Sequence, residues 1–134
     1  NDLQKAYEAF DKSGQLAANN QAAESRYMMA EIQYKLNNVQ KAEDLCNKAN
    51  DLNASYPYWI ARSLILLSDI YTGKKDLFNA RAALEAVLEN FPDDQELRNE
   101  ATQRLKKVEE LEKSGSRIKP TGSTQLELIN KNGQ

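Results

Sequence analysis

A small residue, a hydrophobic one four positions on and a small or hydrophobic one three further recur along the chain as Ala6/Phe10/Ser13, Ala42/Cys46/Ala49 and Ala80/Leu84/Val87. This i, i+4, i+7 spacing sets the three side chains on one face of an α-helix, and the small member lets a neighbouring helix come close. The triplets begin 36 and 38 residues apart, a period that predicts a helical repeat. The apolar positions between them divide the chain into six helices. The first spans Asp2 to Ala17, with Leu3, Ala6, Phe10 and Ser13 or Gly14 turned inward, and the polar Asn19-Asn20-Gln21 stretch breaks it. The second spans Ala22 to Leu36, with Ala23, Tyr27, Ala30 and Tyr34 along one side and Arg26, Met29, Ile32 and Gln33 along the next. Val39 to Leu52 follows Asn37-Asn38 as its antiparallel mate.

Asn53 to Tyr56 turns the chain again, and Pro57 suits the first turn of a helix, where an N–H is not needed. That helix runs through Trp59, Leu64, Leu67 and Tyr71 to a stop at Gly73, with Lys74-Lys75 at its negative end. Asp76 to Phe91 pairs back against it through Ala80, Leu84, Val87 and Leu88. Pro92 separates this element from a last helix, Asp93 to Lys113, whose apolar stripe is Leu97, Ala101, Leu105, Val108 and Leu111. A narrow stripe with a charged outer face suits the end cap of a stack, here covering Leu84 and Leu88. The pattern therefore predicts one helical repeat domain over 1–113 and a flexible tail over 114–134. Within the tail, Leu126-Glu127-Leu128-Ile129 is the one segment that reads either as a docking extended strand or as a remnant of a longer protein.

The stretches AEIQYKLNNVQKAEDLCNKA (Ala30 to Ala49) and SDIYTGKKDLFNARAALEAV (Ser68 to Val87) resemble tetratricopeptide repeats. Ala30 with Ala42, and Ser68 with Ala80, stand twelve residues apart, matching the family's pair of small residues at the helix crossing. Tyr71 fits the family's aromatic in the first helix, and Pro92 its closing proline. Gln33 stands where the aromatic of the other repeat is expected, Ala54 replaces its closing proline, and the turn glycine is Asn37 in one repeat and Lys75 in the other. The resemblance implies an all-α fold, an antiparallel helix-pair superhelix of the tetratricopeptide-like α-α solenoid type, whose first helices line a groove for peptides or partner proteins. The longer wording from Ala22 to Glu43 and from Tyr58 to Asp94 is also similar to the carboxy-terminal part of large tetratricopeptide proteins of Bacteroides-like bacteria, which implies a bacterial source.

Composition narrows the function classes. With 18 basic and 20 acidic residues the net charge is −2, so no field gathers a polyanion and nucleic acid is not an expected partner. The absence of His removes the usual neutral-pH acid–base group and the commonest metal ligand. No metal and no cofactor are expected. Cys46 is the single cysteine, so the fold stands without internal disulfides, which suits a bacterial cytoplasm and a periplasm alike. No run approaches the roughly 18 apolar residues of a membrane span. Asn1 begins no recognisable signal peptide, and a periodic segment follows it at once, as in a chain whose natural start lies upstream.

If the first helices line a groove, their uncommitted faces carry the partner-binding candidates Tyr27, Glu31, Tyr34, Arg62 and Asp69, flanked by Glu24, Lys35, Ile65 and Thr72. Tyr27, Glu31 and Tyr34 share one helix edge, a mixed strip able to stack on apolar groups and hydrogen-bond a peptide backbone. Each tyrosine has a rival reading as packing between helices. Tyr56, Pro57, Tyr58 and Trp59 read either as a binding rim or as a plug between repeats, and Cys46 as small apolar packing. A hydrolytic enzyme would have to rest on the carboxylates Glu24, Glu31 and Asp69, which alternate with Lys and Arg as solvated faces do and so carry no mark of the burial that general acid–base work needs. The sequence thus points to a non-enzymatic module binding a protein or peptide in a helical groove. Its rival is a structural spacer that associates weakly with itself through apolar surface around Leu3, Phe10 or Tyr58 and Trp59.

Overall fold

The computed structural model describes residues 1–16 and 19–118, with side chains over 1–12 and 19–115. Six helices follow one another: α1 (Asp2–Leu16), α2 (Asn20–Lys35), α3 (Val39–Leu52), α4 (Pro57–Gly73), α5 (Leu77–Asn90) and α6 (Gln95–Ile118). Each packs on the next in sequence, and α4 also touches both α2 and α6. The helices α2, α4 and α6 therefore form one layer and α1, α3 and α5 the other. Because α2, α4 and α6 touch in succession while α3 and α5 do not, the stack curves with α2, α4 and α6 on its inner side.

The two helix pairs α2/α3 and α4/α5 close through the same turn. At the first, the N–H of Asn38 reaches the Gln33 carbonyl at 2.9 Å and that of Asn37 reaches Tyr34 at 2.9 Å. At the second, Asp76 reaches Tyr71 at 2.9 Å and Lys75 reaches Thr72 at 3.1 Å. Both are Schellman closures, which satisfy the last carbonyls of the helix by putting one residue in the left-handed region. That residue is Asn37 at φ 66° and Lys75 at φ 67°. The stop expected at Gly73 falls where it should, but Gly73 is the last helical residue and Lys75 makes the turn.

Side chains then start the following elements. The Asn19 side chain caps α2 by accepting from the Ala22 N–H at 2.9 Å, which places the start of α2 at Asn20, two residues before the expected Ala22. Asp76 caps α5 through the Asn79 N–H at 3.2 Å. Asn38 caps nothing, because its amide donates to Gln33 Oε1 at 2.8 Å. Gln33 is 2% exposed, so in the place of an aromatic this glutamine fastens the end of α2 to the start of α3. Asn53, in the turn before α4, is fully buried; its amide donates to the Ala23 carbonyl at 3.2 Å and its carbonyl accepts from Arg26 at 2.8 Å.

Packing follows the triplets in the two complete pairs. Ala42, Cys46, Ala80, Leu84 and Val87 are all inaccessible to solvent and Ala49 nearly so. One apolar cluster gathers Ala30, Ala42, Cys46, Leu66, Leu67 and Ile70, and a second gathers Ile65, Ala80, Leu84, Val87, Leu97, Ala101 and Val108. Leu64 and Tyr71 of α4 pack against both. The first triplet is different. Ala6 and Phe10 are only half-buried and Leu3 is exposed, because among the described residues the backbone of α1 packs closely on α2 alone and meets α3 through side chains such as Lys41, which lies over the Tyr7 ring at 4.9 Å.

The last helix also departs from expectation. α6 runs five residues past Lys113 to Ile118, with Glu112 tied to Arg81 of α5 at 2.6 Å and Leu111 half-buried. The expected boundary between 113 and 114 thus falls inside a helix, and the rest of the expected tail, 119–134, lies outside the described residues.

Candidate functional site

The three helices of the inner layer meet through polar rungs. Arg62 of α4 donates to Glu100 of α6 at 2.7 Å, and Arg104 of α6 grips Asp69 of α4 through both carboxylate oxygens at 2.9 and 3.2 Å. A contact of 3.6 Å between Arg104 and Glu100 joins the two rungs. Burial works against the charge of Arg62, yet its hydrogen bond to Glu100 and the nearby Tyr27 hold its pKa above the usual value. On α2, Tyr34 stands beside Asp69, the two bordering the same depressions, and Tyr27 lies within electrostatic reach of Arg62.

The five expected groove residues have different fates on this frame. Tyr27 is 6% exposed, its hydroxyl donates to Glu31 at 3.4 Å, and its ring lies 5.8 Å from that of Trp59. Burial first, and then the Glu31 carboxylate, pushes its phenol up to about 12, so Tyr27 is a neutral packing residue and not open surface. Arg62 and Asp69 are half-buried and are taken up by Glu100 and Arg104. Glu31 and Tyr34 remain half-exposed at the groove. The reason is the position of α6, which lies beside α4 as a third helix of the inner layer and brings its own charges onto the α4 strip. Glu100 and Arg104 were thus missed as site residues, although each stands about one repeat beyond its partner, at 38 and 35 residues.

Two adjoining depressions open where α2 and α4 end. One, of about 720 Å³, is lined by Tyr34, Asn37, Val39, Gln40, Asp69, Ile70, Gly73 and Lys74. The other, of about 230 Å³, lies between Tyr34, Asp69, Thr72, Gly73, Arg104 and Lys107. Tyr34, Asp69 and Gly73 border both. Burial and the Asp69 carboxylate raise the pKa of Tyr34, which keeps its hydroxyl a donor. Gly73 contributes free space, since a Cβ built there meets nothing within 4 Å.

At the opposite end of the groove, Trp59 donates its indole N–H to Asn20 at 3.2 Å and meets Tyr58 edge-on at 4.9 Å between ring centres. It bridges the starts of α2 and α4, leaving Tyr58 37% exposed at the rim. Behind the groove, burial pushes the Cys46 thiol up to about 12, which removes it as a nucleophile at neutral pH. Among the described residues no group of three or more His, Cys, Asp or Glu could hold a metal ion, and no helix is long and apolar enough to cross a membrane.

A tetratricopeptide repeat model matches residues 23–56, the α2/α3 pair, and another matches residues 58–94, the α4/α5 pair. No curated protein and no solved structure matches the chain. With two adjoining repeats over more than half of the sequence, the same turn at equivalent places in both and small residues at both crossings, the chain belongs to the tetratricopeptide repeat family, a family of non-enzymatic protein-binding scaffolds.

Proposed function

We propose that the groove end formed by Tyr34, Asp69, Thr72, Gly73 and Lys107 is where this scaffold holds a segment of a partner protein, with Glu31 one turn before Tyr34 on α2 and Arg62 tied to Glu100 further along the inner layer. The observation that carries the proposal is the pair of depressions at the ends of α2 and α4, which together offer room for peptide side chains beside half-exposed polar groups. On this reading the chain comes from a bacterium and forms the carboxy-terminal part of a longer repeat protein, as its resemblance to large repeat proteins of Bacteroides-like bacteria implies. The buried, disulfide-free Cys46 suits a bacterial cytoplasm or periplasm equally.

Gly73→Gln combined with Tyr34→Ala tests the groove. A glutamine at position 73 points into open space and replaces a poor helix former, a gain of roughly 0.5 kcal/mol that offsets part of the packing Tyr34 loses against the core. A thermal melt of the double variant checks that the fold is retained while the shape and the hydroxyl of the depressions are changed. Pull-downs from the source organism with the natural chain should capture a partner that the double variant loses. Retention of every partner by the double variant would remove the groove reading. Capture of no partner by the natural chain would favour the structural spacer instead.

A further inference from the structure

The charges bordering the two depressions are unequally satisfied. Asp69 is held by Arg104 through both oxygens, and Lys74 is tied to Glu43. Lys107 makes no ion pair or hydrogen bond among the described residues, and the Tyr34 hydroxyl makes no hydrogen bond there either. Asp69, the one carboxylate lining either depression among the described residues, is therefore already neutralised, and Glu31, outside both linings, meets the Tyr27 hydroxyl, whereas one ammonium and one phenolic donor stand open. A basic segment would have to displace Arg104 or Lys74 to find a partner, and an acidic one would displace nothing. The adjoining larger depression has an apolar floor in Val39 and Ile70, beside the space that Gly73 leaves.

We infer that the depression between Tyr34 and Lys107 takes a carboxylate of an acidic partner segment, while an apolar side chain of the same segment rests over Val39 and Ile70. This rests on the groove reading above and adds the chemistry of the partner. The Lys107 ammonium supplies the charge and the Tyr34 hydroxyl a second hydrogen-bond donor. Charge and apolar contact sit in adjoining depressions, so the fitting segment alternates acidic and aliphatic residues.

The test is an NMR titration of the full ¹⁵N-labelled chain with three capped hexapeptides, Gly-Leu-Glu-Leu-Glu-Gly and its Gln and Lys twins. The acidic peptide should shift the amides of Tyr34, Gly73 and Lys107 and bind at least tenfold more tightly than either twin, with affinity falling as salt rises. Lys107→Glu should weaken it tenfold or more, whereas Lys106→Glu, at an exposed position lining neither depression, should not. Equal binding of the three peptides, or an unchanged affinity in K107E, would overturn the inference. Tighter binding in Glu127→Gln would also overturn it, because the depression would then belong to the chain's own Leu126–Ile129 segment. If the acidic peptide fails while G73Q with Y34A still abolishes partner capture, the groove stands and only its acidic chemistry falls.

Discussion

Lys75 and Asn37 do the same conformational work with unequal ease, and exchanging each for glycine measures the difference. Both make the left-handed turn of a Schellman closure, at φ 67° and 66°. A side chain in that region costs an ordinary residue about 1–2 kcal/mol, while asparagine is one of the few that enters it readily. The lysine side chain offers no compensation: it is exposed and makes no hydrogen bond or ion pair among the described residues. Against the relief of strain stands the larger entropy of a glycine in the unfolded chain, about 0.4–1 kcal/mol. Lys75→Gly should therefore stabilise the protein by about 0.5–1 kcal/mol, and Asn37→Gly should leave it unchanged or slightly weaker. The contrast between the two, near 1 kcal/mol, is readable in paired urea melts, with the same unfolding slope in both variants as the check that only stability has changed. K75G no more stable than N37G would refute the reasoning, because the turns would then not differ in strain.

Two further outcomes follow from buried groups. Ser63 is fully buried and its hydroxyl has no hydrogen-bond partner, so Ser63→Ala should raise stability by about 1 kcal/mol; a lower melting temperature would show that the hydroxyl is bonded after all. The Cys46 thiol titrates higher in the folded state, about 12, than the 9.0 of the free group, so its contribution is whole below about pH 9 and is lost as pH rises towards 12. The stability advantage of the natural chain over Cys46→Ala should shrink across that window, and a constant difference from pH 8 to 11 would contradict the burial argument.

Helix spans were legible wherever a turn residue and an apolar period agreed. Val39–Leu52 and Pro57–Gly73 fall where the pattern puts them, since Asn38 and Pro57 mark starts that packing does not override. The start of α2 was not, because the choice among Asn19, Asn20 and Gln21 depends on which side chain turns back to cap. Asn53 was read as turn because an amide carries no sign of burial until its partners, Ala23 and Arg26, are brought near from about 30 residues away. The candidate site was legible only by halves. Periodicity located the inner face of α2 and α4 but could not say that Glu100 and Arg104, in a helix with a charged outer face, would reach back across it. A charge shows its sign in the sequence, and its partner only in the fold.

The double membership of Leu64 and Tyr71 governs how the stack comes apart. Because one helix, α4, supplies the wall of both apolar clusters, neither repeat keeps its core when the other opens. In a linear array this amounts to a coupling between neighbours that outweighs the stability of either repeat alone. The two repeats, together with α6, whose Leu97, Ala101 and Val108 belong to the second cluster, therefore melt as a single cooperative unit, and local opening is confined to the terminal helix α1. The inner layer keeps its shape whenever the protein is folded at all, so a partner meets a preformed groove and spends little of its binding energy on assembling one.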